Sequence, residues 1–282
     1  MRIVPVSLAA IALLAAGCSG AGATKGQRTV AAAFYPLAFA AAAIGGTRVH
    51  VENLTPPGAE PHDVELSPRA VGRLQQADVV LYLSHDFQPA VEDAAREAQG
   101  TRLDALAGLR LREGSEGTDP HVWLDPVFFA QIARRIGAAL GRPARAATFD
   151  ARLRRLDREY RAGLRDCTRR EFVTSHAAFG YLAARYGLRQ IPITGIDPEA
   201  EPSPRRLRDL VELVRREGVR TVFFERLVSP RLAETVAREA GAKAEVLDPI
   251  EGLTSSEEHR GNDYFTLMRR NLSQLRAALG CR

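Results

Sequence analysis

The sequence has few lysines and lacks several well-known motifs, and these absences exclude some classes of protein. Of its 39 basic residues only Lys25 and Lys243 are lysines, and the arginines are scattered over candidate helices. No basic stripe interleaved with aromatic residues occurs, so the pI near 9.4 does not predict a nucleic-acid interface. The absence of a Walker-type phosphate loop excludes an ATPase, and the absence of a His-Glu-x-x-His helix argues against a zinc hydrolase.

The N-terminus predicts export. Arg2 is followed by an apolar run, Ile3–Ala16, that is too short to anchor a protein across a bilayer and is typical of a signal peptide. Ala15-Ala16-Gly17-Cys18 resembles a bacterial lipobox, with alanine where leucine is usual three residues before the cysteine. We expect residues 1–17 to be removed, Cys18 to be lipidated, and residues 18–27 to form a flexible tether. The alternative is an ordinary secretory signal with an incidental cysteine.

The remaining cysteines, Cys167 and Cys281, form an even pair in a protein expected to mature in an oxidising compartment. Such a pair predicts a disulfide. Thiolate metal ligation is the weaker alternative, because neither cysteine has a candidate ligand nearby.

Short apolar strands alternate with amphipathic helices along the chain, which predicts parallel sheets built from βαβ units. Four strands precede residue 140 and four follow residue 170, so we expect two α/β lobes. The predicted strands are Thr29–Ala33, Arg48–Asn53, Val79–Leu83, Arg102–Ala105, Phe172–Ser175, Gln190–Thr194, Thr221–Phe224 and Ala244–Leu247. The clearest predicted helices are Ser67–Gln76, Phe87–Ala98, Ser203–Glu217 and Pro230–Ala240.

One long rigid helix is predicted between the lobes. Pro143 suits its first turn, and an apolar stripe recurs at spacings of three and four residues. That stripe consists of Phe149, Leu153, Leu156, Tyr160 and Leu164. The predicted organisation is an N-terminal lobe over 28–142, the linking helix over 143–166 and a C-terminal lobe over 167–282.

Three histidines and an aspartate follow strand-like segments and are often flanked by proline. His62 lies in Pro-His-Asp, His121 in Asp-Pro-His-Val-Trp-Leu-Asp-Pro, His176 in Ser-His-Ala-Ala-Phe-Gly, and Asp248 in Leu-Asp-Pro-Ile-Glu-Gly. Three imidazoles and a carboxylate are a tetrahedral zinc set. Ligands of parallel α/β sheets bind at the carboxyl ends of strands, so these residues are expected to converge on a metal held between distant segments of the chain.

Metal-bound imidazoles usually donate their other ring N–H to a carboxylate or a carbonyl. Candidates for this role are Glu225, at the end of a predicted strand, and Asp119 and Asp125, on either side of His121.

These four motifs, in this order, resemble the zinc/manganese solute-binding proteins of bacterial ABC transporters over about nine-tenths of the chain. The resemblance implies two α/β lobes bridged by one helix, with the metal in the cleft between the lobes. Its ligands would be His62 and His121 from the first lobe and His176 and Asp248 from the second. It also implies a membrane permease as partner and a place on the extracytoplasmic face of the membrane, or in the periplasm. We expect a monomer.

The metal is expected to be Zn²⁺, because manganese-type members usually carry glutamate where His176 stands. Mn²⁺ is the alternative, and the histidine-rich loop of many zinc-type members is missing from Arg112–Thr118. Binding is expected to weaken below pH of about 6.5, the ordinary imidazole pKa. Two other functions remain open at this point: a secreted zinc hydrolase with Glu225 as general base, and a surface adhesin on the same fold.

Overall fold

A computed structural model describes residues 26–114 and 117–282, and within them the chain forms two lobes, each with a four-stranded parallel sheet. The strands of the first sheet are β1 (Arg28–Ala32), β2 (Val49–Asn53), β3 (Val79–Tyr82) and β4 (Thr101–Asp104). A short antiparallel hairpin follows, made of β5 (Arg112–Gly114) and β6 (Gly117–Asp119). The second sheet contains β7 (Glu171–Thr174), β8 (Arg189–Pro192), β9 (Thr221–Phe224) and β10 (Lys243–Val246).

Ten α-helices of the described residues connect and cover these strands. The N-terminal lobe contains α1 (Tyr35–Gly45), α2 (Pro68–Gln76), α3 (Pro89–Arg96) and α4 (Pro126–Ala139), and α5 (Pro143–Gly163) leads out of it. The C-terminal lobe contains α6 (Gly180–Tyr186), α7 (Pro204–Arg216), α8 (Arg231–Ala240), α9 (Ser255–His259) and α10 (Tyr264–Leu279). The predicted α/β fold class with parallel sheets in two lobes is confirmed.

The two sheets share one topology. The strand order is β2-β1-β3-β4 in the first sheet and β10-β9-β7-β8 in the second, so in each lobe the first strand of the set lies between the second and the third. Connections leave in opposite directions from the first and third strands, which opens a crevice at their carboxyl ends. The fold therefore offers two such crevices.

The helix α5 lies where the sequence predicts the linking helix, and it packs along its length. All five residues of its predicted apolar stripe are buried: Phe149, Leu153, Leu156, Tyr160 and Leu164. The 21 residues of α5 span about 32 Å at 1.5 Å per residue. The stripe packs with α1 and α4 of the first lobe and α10 of the second, and the Tyr160 hydroxyl donates to the Met268 carbonyl at 2.6 Å.

A disulfide joins Cys167 and Cys281, which are 114 residues apart, and this confirms the predicted pairing. It ties the segment that enters β7 to the second residue beyond α10. Since β7 begins at Glu171, the bond lies at the amino end of the second sheet, opposite the strand ends where ligands bind.

The loop predicted over Arg112–Thr118 is the β5–β6 hairpin in the structure. The strands are only three residues each, and their residues are largely exposed, so they lack the buried periodic pattern that made the other strands predictable. No helix among the residues described is long and apolar enough to cross a membrane.

Candidate metal centre

His176 and Glu225 meet at the crevice of the second sheet. His176 lies two residues beyond β7, and Glu225 directly follows β9. The two strands are neighbours with Thr174 opposite Phe223, so their carboxyl ends bring the two side chains together. Nδ1 of His176 lies 2.7 Å from Oε1 of Glu225, and the same oxygen accepts a hydrogen bond from the Ser175 hydroxyl at 2.7 Å.

The His121 ring is held in a similar way by Asp119, the last residue of β6. Oδ1 of Asp119 accepts a hydrogen bond from the backbone N–H of His121 at 3.0 Å and lies 2.8 Å from its Nδ1. The Tyr181 hydroxyl, from the second lobe, donates to the Asp119 carbonyl at 2.8 Å. With Nδ1 directed at a carboxylate in both histidines, the Nε2 lone pair faces the opposite side of each ring.

His62 is positioned by packing. It lies in a one-turn 3-10 helix, Pro61–Asp63, whose first turn is capped by Glu60, since the His62 N–H donates to the Glu60 carboxylate at 3.2 Å. Its ring meets Phe87 edge-on, with centroids 4.7 Å apart. The Gly58 N–H donates to the Leu253 carbonyl at 2.9 Å, so this loop is joined to the second lobe close to Glu251.

Three imidazoles and the carboxylate of Glu251 converge between the lobes. Their potential ligand atoms, one from each residue, all lie within 4.8 Å of one another. Oε1 of Glu251 is 3.0 Å from Nε2 of His121, 3.5 Å from Nε2 of His176 and 3.8 Å from Nε2 of His62. The two Nε2 atoms of His121 and His176 are 3.3 Å apart.

This donor set fits a zinc ion. The ligand atoms around a tetrahedral zinc at about 2.0–2.1 Å lie about 3.3 Å from one another, close to the separations in the cluster. Nε2 of His62 and Oε2 of Glu251 are buried atoms with no hydrogen-bond partner among the described residues. Buried polar atoms are normally paired, so these two are available to a metal ion.

The site is almost closed to solvent. The side chains of His121 and Glu251 are 0% exposed and that of His176 is 1% exposed, whereas the His62 ring is 12% exposed. An aromatic wall surrounds the rings, because Phe87 packs on His62 and Trp123 lies 5.1 Å from His121. His62 is therefore the most exposed of the four clustered residues.

The buried carboxylates of the site shift the pKa values of its histidines. Burial lowers the pKa of His176, but the opposing charge and hydrogen bond of Glu225, together with Glu251, raise the net pKa well above the ordinary imidazole value. The pKa of His121 is also raised, since the hydrogen bonds to Asp119 and Glu251 outweigh burial. Burial opposes ionisation of Glu251, yet the contacts of its carboxylate with the three imidazoles, that of His121 first, hold its pKa well below the usual range.

The carboxyl of Glu60, beside the cluster, has a raised pKa, opposite to that of Glu251. Burial and, next, the charge of Glu251 raise the pKa of Glu60 to about 9. A neutral Glu60 adds no second negative charge beside Glu251.

The structure does not bring Asp248, the predicted fourth ligand, into this group; Glu251, three residues further along, is there instead. Oδ1 of Asp248 accepts a hydrogen bond from the Ile250 N–H at 2.7 Å, and Oδ2 faces Arg226 at 3.8 Å. Burial raises the pKa of Asp248 to about 7. Asp248 is kept out of the cluster by the Asp-Pro turn, in which the aspartate side chain accepts a hydrogen bond from the backbone N–H two residues further on.

The sequence signal for Glu251 was present in the motif. Leu-Asp-Pro-Ile-Glu-Gly contains two carboxylates, and the turn preference of Asp-Pro assigns the first to the backbone. That leaves the second, which lies beyond the turn, as the available donor.

Asp125 also lies away from the cluster. Its Oδ1 accepts from the Val127 N–H at 2.8 Å as the N-cap of α4, and it lies 3.2 Å from Nε of Arg185. Arg185 pairs with Asp157 of α5 as well, at 2.7 Å. This pairing connects α6 of the second lobe to α4 and the linking helix.

The predicted signal peptide, the lipidated Cys18 and most of the tether lie outside the described residues.

A buried donor set supplied by both α/β lobes defines the class of the molecule: a two-lobed binding protein with its ligand site in the cleft. The chain belongs to the family described as “Zinc-uptake complex component A periplasmic”, whose model matches residues 30–278. This confirms the resemblance noted in the sequence.

Relatives and solved structures agree with that membership. The chain is 35% identical to the zinc-binding protein AdcA of Streptococcus pyogenes over 89% of its own length, but spans only 56% of that relative. It is 33% identical to the high-affinity zinc uptake system protein ZnuA of Bacillus subtilis, covering 96% of each chain. The Zn(II)-bound ZnuA-like domain of Streptococcus pneumoniae AdcA superposes with a TM-score of 0.79 at 34% identity, covering 90% of this chain and 99% of that domain.

Proposed function

We propose that this protein is an extracytoplasmic receptor that binds Zn²⁺ as its cargo and delivers it to the permease of an ABC transporter. The observation that carries the proposal is the buried set of three imidazoles and one carboxylate. His62, His121 and His176 supply nitrogen and Glu251 supplies oxygen, and all four donors come within 4.8 Å of one another. The names of the relatives support zinc as the cargo.

The donor types favour zinc over manganese. Imidazole-rich, four-donor sites suit Zn²⁺, whereas Mn²⁺ prefers carboxylate-rich sites with six ligands. His176 is the position at which the two kinds of site are expected to differ. Asp119 and Glu225 hold the two most buried imidazoles, which raises their basicity as ligands.

A hydrolase is not favoured by this arrangement. Catalytic zinc keeps one coordination position open for water, and here Glu251 occupies the fourth. Glu225 is engaged by His176 and Ser175, which leaves it poorly placed as a general base. The family to which the chain belongs is described as an uptake component, which also favours a binding receptor over a hydrolase.

The organisation of the chain completes the proposal. Residues 1–17 act as a signal peptide, Cys18 carries the lipid anchor and residues 18–27 form the tether. Lobes over 28–142 and 167–282 flank the linking helix over 143–166, and the protein works as a monomer on the outer face of the cytoplasmic membrane. The chain itself catalyses no reaction, and ATP hydrolysis belongs to a separate subunit.

The test is a competition titration of the full chain with Zn²⁺ and Mn²⁺ against a chromophoric chelator. We expect one tight equivalent of zinc and weaker manganese binding. Glu251→Gln removes the charged donor and should lower the zinc affinity at least about tenfold, which is the range lost when even a supporting group of a metal site is removed. Glu258→Gln, at an exposed position on α9, is the matched control and should bind like the wild type.

Tight manganese binding by the wild type would favour the manganese alternative. No tight binding of either metal would refute the receptor proposal.

A further inference from the structure

The turn that precedes Glu251 has an unusual backbone. Ile250 has φ of 59°, in the left-handed region, and its side chain is fully buried. Among the described residues two other non-glycine residues have positive φ, His85 and Asp86, and both are exposed. A β-branched side chain disfavours this conformation, so contacts around the turn must hold it there.

Those contacts come from three separate side chains. Asp248 accepts the Ile250 N–H within the turn at 2.7 Å. The Asn271 side chain of α10 accepts from the Asp248 N–H at 3.0 Å and donates to the Asp248 carbonyl at 2.6 Å. The Trp123 indole N–H, from the first lobe, donates to the Pro249 carbonyl at 2.8 Å.

Each of these partners is itself fixed. Asn271 and Trp123 are each 1% exposed. The Tyr264 hydroxyl of α10 donates to the Trp123 carbonyl at 2.6 Å, so the two outer partners of the turn are connected to each other. Trp123 follows His121 by two residues, which links the position of the Glu251 segment to that of a histidine of the other lobe.

We infer that the turn Asp248–Pro249–Ile250 is a positioning device for Glu251, and that Asp248 sets the metal preference of the site through that turn without touching the metal. This inference rests on the proposed function. A carboxylate fixed at this place suits four close donors at about 2.0–2.1 Å. A carboxylate free to shift or to bind through both oxygens suits larger ions with more ligands, such as Mn²⁺.

The experiment compares substitutions at Asp248 in the full chain. Asp248→Ala removes the acceptor of the Ile250 N–H, whereas Asp248→Asn keeps an oxygen in its place. The readouts are the ratio of Mn²⁺ to Zn²⁺ dissociation constants, and the visible absorption of bound Co²⁺, which is intense for tetrahedral and weak for six-coordinate sites.

We expect Asp248→Ala to reduce the zinc preference at least tenfold and to weaken the tetrahedral cobalt absorption. Asp248→Asn should keep the ratio within about threefold of the wild type, because one hydrogen bond contributes only a modest net free energy. It should also keep the tetrahedral cobalt absorption. Asp104→Ala is the matched control, because Asp104, the last residue of β4, accepts the Leu106 N–H in a similar turn at 2.9 Å and is not one of the four clustered residues. It should leave the ratio and the spectrum unchanged.

Trp123→Phe keeps the aromatic packing and removes only the donor to Pro249, so it tests the same device if Asp248→Ala does not fold. It should shift the ratio in the same direction as Asp248→Ala.

The inference is overturned if Asp248→Ala, or Trp123→Phe in its place, keeps the wild-type ratio and cobalt spectrum. It is also overturned if Asp248→Ala and Asp248→Asn weaken zinc binding equally, since that is the behaviour of a metal ligand. Failure of the wild type to bind zinc would refute the receptor function itself, which is a different result.

Discussion

At the scale of single residues, the centre is organised by carboxylates that each hold one imidazole. Asp119 pairs with His121 and Glu225 with His176, both through Nδ1, at 2.8 and 2.7 Å. Such partners fix the tautomer and orient the ring. They also stabilise the protonated ring, so a proton competes with the metal for the same imidazole.

This competition predicts the pH dependence of zinc affinity. Below its raised pKa His176 is protonated in the metal-free protein, and zinc must displace that proton. Affinity is therefore full above the raised pKa and falls as pH drops through it, so the decline should begin above the ordinary imidazole value of about 6.5. Zinc dissociation constants measured by competition between about pH 5 and pH 9 check this expectation.

Glu225→Gln removes the negative charge that contributes most to the raised pKa of His176. The decline in zinc affinity should then begin at a lower pH. The exposed Glu239→Gln variant on α8 is the control and should follow the wild-type curve. A wild-type curve that is flat down to pH of about 6 would contradict the expectation.

At the scale of elements, the two crevices of the fold are used differently. The crevice of the second sheet contains His176 and Glu225. In the first sheet, the corresponding segments after β1 and β3 supply Phe34 and Phe87, whose ring centroids are 5.0 Å apart. Phe87 then packs on His62. One lobe places a histidine and its carboxylate partner at its strand ends, and the other places an apolar wall behind a histidine that comes from a loop.

The disulfide is an element-scale constraint on stability. Cys167–Cys281 closes a segment of 114 residues, and in the chain-entropy model this contributes about 4–5 kcal/mol to the free energy of unfolding. Reduction, or the Cys167→Ser/Cys281→Ser double variant, should lower the urea midpoint of the metal-free protein. Zinc stoichiometry should not change, because the bond lies at the amino end of the second sheet.

Reduced wild type and the double variant serve as controls for each other, since both lack only the bond. Equal midpoints for the oxidised and reduced wild type would count against a stabilising role.

At the scale of the whole molecule, the site belongs to neither lobe alone. His62 and His121 come from the first, His176 and Glu251 from the second, and Arg185 joins the second lobe to Asp125 and Asp157. Because α5 packs against both lobes, it supports the cleft as a structural element rather than as a free tether.

Membrane attachment is the prediction at this scale. Cys18→Ser should release the protein into the soluble fraction after cell lysis, because the lipid on Cys18 is expected to be the anchor. Fractionation with immunodetection measures this, with Cys167→Ser/Cys281→Ser as the cysteine control that should stay with the membrane. A Cys18→Ser protein that sediments with membranes would contradict the lipid anchor.

The fold was predictable from the sequence because its determinants are local and periodic. All eight strands of the parallel sheets lie within two residues of their predicted bounds, since short apolar runs alternate with amphipathic helices. The linking helix was predictable from its buried stripe. The β5–β6 hairpin was not predicted, because its exposed residues leave no periodic pattern.

The sequence by itself determined the three histidines, the two lobes and the disulfide pair, because strand ends, proline neighbours and the pair of cysteines beyond Cys18 are properties of the chain. Only the tertiary structure decided the fourth donor. Asp248 and Glu251 are both carboxylates in one motif, and their separation into a turn-former and a member of the buried cluster depends on Asn271, Trp123 and the left-handed Ile250. Asn271 and Trp123 lie far from this motif in sequence, so the Asp-Pro pair indicates which carboxylate forms the turn, but only the folded chain places the other carboxylate beside the three histidines.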